Sequence, residues 1–150
     1  MNNHNNHKDC ENIYLKWHEY AKSRQVDPLL SLYVDDAKLE SPLVPAILDI
    51  PSGVLNGHAQ LRQFFEEGVK CRPNELVRWY RTEKYYCDGT TLIWEYPWQI
   101  PDGEQIDILE VIELRNSKIA YHRIYWGWFG IGQLITSAIK KAEFQFDSRL

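Results

Sequence analysis

An excess of positive charge is missing from this sequence: 17 lysines and arginines stand against 21 acidic residues, scattered along the chain, and the net charge is -4. Binding to a phosphate backbone needs clustered cations, so nucleic acid is not the expected partner. A long hydrophobic run is missing too. The most apolar stretch, residues 126–139, is interrupted by Gly127, Gly130, Gly132, Gln133, Thr136 and Ser137 and falls short of the roughly 20 residues a membrane span requires. The opening Met1-Asn2-Asn3-His4-Asn5-Asn6-His7 lacks the basic start and apolar core of a secretory signal. Cysteine is scarce. Cys10, Cys71 and Cys87 are odd in number, far apart and outside any C-x-x-C pattern, so neither a disulfide framework nor a zinc site is expected, but three free thiols in a reducing cytoplasm. No G-x-S-x-G, P-loop, H-E-x-x-H or dinucleotide fingerprint occurs, and no cofactor or metal is implied.

What the sequence does have is 44% hydrophobic and 13% aromatic residues in 150 positions, enough for one closed core and no more than one domain. Residues 1–8, rich in Asn and His and aperiodic, are expected to be a disordered tail, residues 9–128 the folded domain, and residues 129–150 a helical extension. Ile13, Trp17, Tyr20 and Ala21, with Tyr14 beside them, recur at helical spacing and predict a first helix from Asp9 to Arg24. Asp27 before Pro28 reads as the capped start of a short helix reaching about Tyr33. Ala37 to Ser41 alternates like a strand that Pro42 ends. Residues 42–56, with three prolines and Gly53, suggest irregular chain with at most a short strand. Leu61, Phe64 and Phe65 mark a third helix from Gly57 to near Gly68. Four β-type runs follow, Leu76–Tyr86, Thr90–Gln99, Glu104–Arg115 and Lys118–Trp128, separated by Asp88-Gly89, Asp102-Gly103 and Asn116-Ser117. Helices first and an antiparallel meander after them indicate an α+β domain with its helices on one side of a sheet.

Three strings carry a resemblance: Leu32-Tyr33-Val34-Asp35-Asp36-Ala37 leading into the first strand, Gly57-His58 with Leu61 and Phe64-Phe65 in the third helix, and Ile119 through His122 to Tyr125-Trp126 in the last strand. In that order, over residues 10–128, they resemble the SnoaL-like, nuclear transport factor 2-like superfamily, which includes steroid isomerases, dehydratases and epoxide hydrolases. The resemblance implies a cone: three N-terminal helices on a strongly bent, mainly antiparallel sheet, a pocket open at one end, and frequently a homodimer through the outer sheet face. Against the steroid isomerases the chain departs at two of three catalytic positions. Ser41 stands where they carry the proton-abstracting aspartate, and Trp17 where they carry the helix-one tyrosine. Serine has no useful basicity and an indole never titrates. Only the inward acid of the penultimate strand is retained in kind, as Glu110.

Glu110 is also singled out by the residues themselves. Alternation places it with Ile106, Ile108, Ile112 and Leu114, and an ionised carboxylate on an apolar face costs several kcal/mol unless it is paired. His122 is the natural partner, depending on the turn between the strands. A two-residue loop at Asn116-Ser117 pairs 115 with 118, sets Arg123 opposite Glu110 and sends His122 to the other face. A three-residue loop pairs 114 with 118 and sets His122 opposite Glu110. In the first case Glu110 would be held in a structural ion pair, which is no evidence of catalysis.

Trp94, Tyr96 and Trp98 alternate along one strand and, with Trp17, Tyr20 and Trp126, could wall a pocket for a flat apolar ligand, Ser41 contributing a polar contact. Each aromatic taken alone reads more readily as core, because an aromatic stripe in a small sheet is most often simply core. His18 and His58 read as capping or solvated residues. The resulting expectation is a cofactor-independent acid–base enzyme of isomerase, cyclase, dehydratase or hydrolase type, with Glu110 and His122 exchanging a proton. The alternative is a non-catalytic binding module or homodimeric scaffold of the same fold.

Overall fold

The computed structural model describes residues 3–71, 78–79, 84–99, 105–128, 130–132, 134–136 and 138–139. Helix α1 runs Asn3–Lys22, so residues 3–8, expected as a disordered tail, are its first turns. They continue a helix nucleated where Cys10, Ile13, Tyr14 and Trp17 turn one face into the core. Helix α2 (Val26–Ser31) is preceded by Gln25 as its cap. Asp27, expected there, instead pairs with Arg62 at 2.7 Å. Tyr33 belongs to strand β1 (Tyr33–Glu40), not to the end of that helix.

Residues 42–56 are more regular than expected. Helix α3 (Leu43–Leu48) and strand β2 (Val54–Asn56) lie within them, which makes four helices before the meander among the described residues rather than three. Pro45 is compatible with α3 because it sits in the first turn, where a backbone N–H has no intrahelical partner to lose. Helix α4 (Gly57–Cys71) buries Leu61, Phe64 and Phe65 as the spacing predicted.

Of the expected run Leu76–Tyr86, β3 (Arg78–Trp79) and β4 (Tyr85–Cys87) are strand; residues 76, 77 and 80–83 lie outside the described residues. Strands β5 (Thr91–Gln99), β6 (Gln105–Arg115) and β7 (Lys118–Trp126) form the meander. The sheet order is β2-β1-β7-β6-β5-β3, with β4 also on β5. Among the described residues every pairing is antiparallel except β1 with β7. The core lies between one face of this sheet and helices α1 and α4. Beyond β7, the described residues of 128–139 are helical and expose Trp128, Ile131, Ile135 and Ile139. No helix among the described residues is long and apolar enough to cross a membrane.

The three-thiol expectation is corrected. Cys10 on α1 and Cys87 on β4 form a disulfide with Cα atoms 6.5 Å apart, and Cys71 alone is free. The partners are 77 positions apart in sequence. Packing of a helix on a sheet brings them together, and such packing has no counterpart in cysteine spacing.

Candidate acid–base site

Opposed residues in the sheet point to the same side, so the register defines the inner face row by row. One row reads Cys87, Leu92, Ile112, His122 and Leu39; the next reads Tyr85, Trp94, Glu110 and Ile124. Glu110 therefore shares the inner face with Ile108 and Ile112, as alternation indicated, and both Glu110 and His122 are 0% exposed.

Neither turn considered above describes how His122 gets there. The loop is the two-residue one: Arg115 pairs with Lys118, and Asn116 and Ser117 both take positive φ, 53° and 61°. Leu114 then pairs with Ile119 but Glu113 with Tyr121, which leaves Ala120 as an extra residue in β7. This bulge restores His122 to the inner side. It faces Ile112, and reaches Glu110 along the diagonal. Arg123 lies on the outer side, paired with Glu113 at 2.6 Å rather than with Glu110.

A chain of hydrogen bonds runs through this buried centre. Trp17 Nε1 donates to Tyr33 Oη at 3.1 Å, Tyr33 Oη meets His122 Nδ1 at 2.8 Å, and His122 Nε2 contacts Glu110 Oε2. The carboxylate assigns the tautomer. It can only accept, so Nε2 carries the proton toward Glu110, and in the neutral ring Nδ1 then accepts a hydrogen bond from the Tyr33 hydroxyl, whose oxygen in turn accepts from Trp17. Burial pushes the Tyr33 phenol far above the usual tyrosine range, opposed by the Trp17 hydrogen bond and supported by the charge of Glu110, so this hydroxyl remains a donor. Both ring nitrogens of His122 are thus occupied. His122 orients Glu110, and the atom left to act is Glu110 Oε1, buried with no hydrogen-bond partner among the described residues.

The aromatics pack around this chain. Trp94 lies directly across from Glu110, its ring 5.3 Å from Trp17 and 5.1 Å from His18, and Trp17 meets the edge of His122 at 5.8 Å. The Trp17 N–H is committed to Tyr33. Tyr20 and Trp126 are partly buried against the core. Tyr96 and Trp98 lie on β5, register partners of Ile108 and Ile106, and their side chains lie outside the described residues. Ser41 is buried, but its Oγ accepts from Leu43 N–H at 3.1 Å at the entry to α3, so the hydroxyl serves a turn rather than the Glu110 chain. His18 corrects the expectation of a solvated side chain: it is buried, with Nδ1 2.8 Å from the Tyr14 carbonyl. His58 is half-buried near the Tyr33 carbonyl and Asp35. Tyr33, central to the chain, carried no mark as a site residue. In the sequence it stands only in the string Leu32–Ala37 that leads toward the first strand, at the end of the expected second helix. Among the described residues no group of three or more His, Cys, Asp or Glu side chains is placed to hold a metal ion.

No family model matches this sequence, and no curated protein matches it. Solved structures do. A SnoaL-like protein of unknown function from Burkholderia thailandensis is 18% identical, with 80% of this chain and 95% of that one covered and a TM-score of 0.62. An NTF2-like protein of unknown function from Burkholderia pseudomallei is 14% identical over 85% and 98%, with a TM-score of 0.67. The epoxide hydrolase/cyclase-like enzyme SalBIII, of pyran ring formation in the polyether salinomycin, is 18% identical over 81% and 93%, with a TM-score of 0.57. At these identities the likeness is one of architecture. About four-fifths or more of the chain has the SnoaL-like, nuclear transport factor 2-like fold.

Proposed function

We propose that the chain binds a small apolar molecule against the aromatic inner face and moves a proton on it through Glu110, without a cofactor. The observation that carries this reading is the asymmetry of the carboxylate: Oε2 is held by His122, and Oε1 is buried without a partner. A buried carboxylate oxygen is costly to leave unpaired, and a group so placed is suited to accept a proton from a ligand. His122, Tyr33 and Trp17 fix its direction. A cyclase-like enzyme among the similar structures is consistent with this class of reaction. The test is turnover of small apolar ketones, epoxides and tertiary alcohols, followed by gas chromatography, by the native protein and by Glu110→Gln. Conversion of at least one class should fall about 10²-fold or more in the variant. If the native protein converts none of them, the catalytic reading fails.

A second reading has its own observation. Trp17, Tyr33, His122 and Glu110 are each at most 5% exposed, as expected of a polar chain that specifies a core. On that reading the chain is a non-catalytic module, and the Glu110→Gln variant changes stability alone. We further propose that two copies associate through the outer sheet face, where exposed Leu109 and Tyr125 face one another across β6 and β7.

A further inference from the structure

Three buried polar atoms on the inner face of the sheet have no hydrogen-bond partner among the described residues: Glu110 Oε1, Trp94 Nε1 and Trp126 Nε1. They are not scattered. Trp94 is the register partner of Glu110 across β5 and β6, and Trp126 is the partner of Ile108, one inward position along β6 from Glu110. Both indole nitrogens can only donate, and a carboxylate oxygen can only accept. A donor and an acceptor thus stand on directly opposed positions of neighbouring strands, each unsatisfied and neither bonded to the other.

Buried polar groups in folded proteins are nearly always paired, because each orphan costs about 1–3 kcal/mol and more when charged. An opposed acceptor and donor are satisfied together by a third group that donates one hydrogen bond and accepts another. A hydroxyl does both through one oxygen. A carbonyl or ether oxygen satisfies the indole alone and leaves the carboxylate unpaired, and an ammonium group does the reverse. The surroundings restrict the rest of the molecule. Trp94 is 2% exposed and packed against Trp17, His18 and Tyr14, whereas Trp126 is only partly buried. The enclosed end of this row of orphans is therefore at Trp94 and Glu110, and the accessible end at Trp126.

From this we infer that the site recognises a flat apolar molecule through a single hydroxyl, whose O–H donates to Glu110 Oε1 and whose oxygen accepts from Trp94 Nε1. This rests on the proposed function and narrows it, among the reactions considered, to those in which the hydroxyl is the reacting group: its addition, its loss, or its attack on another centre. Glu110 is a carboxylate before and after each reaction. In addition or attack, Oε1 takes the O–H proton as the new C–O bond forms and returns it to the atom that keeps the electron pair of the broken bond, a former C=C carbon or an epoxide oxygen. In loss, Oε1 takes a proton from the neighbouring carbon and gives it to the departing hydroxyl, which leaves as water beside a new C=C bond.

The experiment compares 2-naphthol, 2-methoxynaphthalene and naphthalene on the native protein. Indole N–H resonances are followed by two-dimensional NMR, with Trp94 assigned through Trp94→Phe. One hydrogen bond to a charged acceptor sets the expected discrimination at roughly ten- to a hundredfold in Kd for the naphthol over its methyl ether, with the Trp94 N–H signal moving downfield for both, whose oxygens accept from it, and not for naphthalene. In Glu110→Gln the preference should shrink toward unity while naphthalene binds as before. Equal binding of all three overturns the hydroxyl assignment and leaves the pocket reading intact. A Trp94 signal that never moves, with binding elsewhere, also overturns it. Failure of all three to bind removes the pocket reading together with this one.

Discussion

His122 Nε2 contacts Glu110 Oε2 although the two are not register partners: His122 stands opposite Ile112, and Glu110 opposite Ile124. The contact exists because Ala120 bulges out of β7 and returns the histidine to the inner face. Glu110→Ala removes the acceptor for a buried N–H and should cost roughly 1–3 kcal/mol of stability, since it leaves the His122 Nε2–H unsatisfied. Urea unfolding monitored by circular dichroism measures it, and a cost under 1 kcal/mol would mean the pair is not formed.

Tyr33→Phe removes the one oxygen that accepts from the Trp17 indole N–H and donates to His122 Nδ1. The expected cost is about 2–4 kcal/mol by the same unfolding assay. In the native protein the nitrogen NMR spectrum of His122 should show the proton on Nε2. A native ring protonated on Nδ1 would refute the direction assigned to the chain.

Stability should fall in alkali because of Tyr33. Its folded pKa is raised above the unfolded value of 10.0 by burial. Below pH 10 the phenol is neutral in both states and its contribution is fully present. As pH rises past 10 the unfolded chain gives up the proton while the folded one keeps it, so stability drops by up to about 1.4 kcal/mol per pH unit. Unfolding free energies between pH 8.5 and 11 should show this slope in the native protein and a shallower one in Tyr33→Phe. Parallel curves would contradict it.

The Cys10–Cys87 bond closes a loop of 77 positions, and in the chain-entropy account such a loop contributes roughly 3–5 kcal/mol. Native protein should show one thiol reactive toward an aromatic disulfide reagent, Cys71, and three after reduction in denaturant. Reduction, or the double change Cys10→Ser with Cys87→Ser, should lower Tm by ten degrees or so. Three reactive thiols before reduction would exclude the bond.

Leu109 and Tyr125, opposed and exposed on the outer sheet face, test the proposed association. Leu109→Lys should convert a dimer to a monomer in sedimentation analysis without lowering Tm by more than a few degrees, because an exposed position contributes little to the core. A native protein that sediments as a monomer ends that proposal.

The α+β class, the meander and the inward face of Glu110 were legible because they rest on local periodicity. Period 3.6 in α1 and α4 and period 2 in β6 are dictated by the geometry of the chain itself. Helix α3 was obscured by its prolines, which look like breakers unless their place in the first turn is known. Tyr33 falls by sequence at the end of a helix because nothing in its neighbours marks a strand beginning at once after α2.

By itself, then, the sequence determined which apolar residues of α1, α4 and β6 face the core and that a carboxylate would be among them. Its apolar pattern leaves each segment one favourable side. Which residues meet was decided by the tertiary structure alone. One bulged residue chose the face of His122, the docking of α1 on the sheet set Cys10 against Cys87 and Trp17 against Tyr33, and strand pairing set Trp94 across from Glu110. Such contacts depend on register and packing between segments far apart in the chain, and a shift of one position reverses every side chain beyond it.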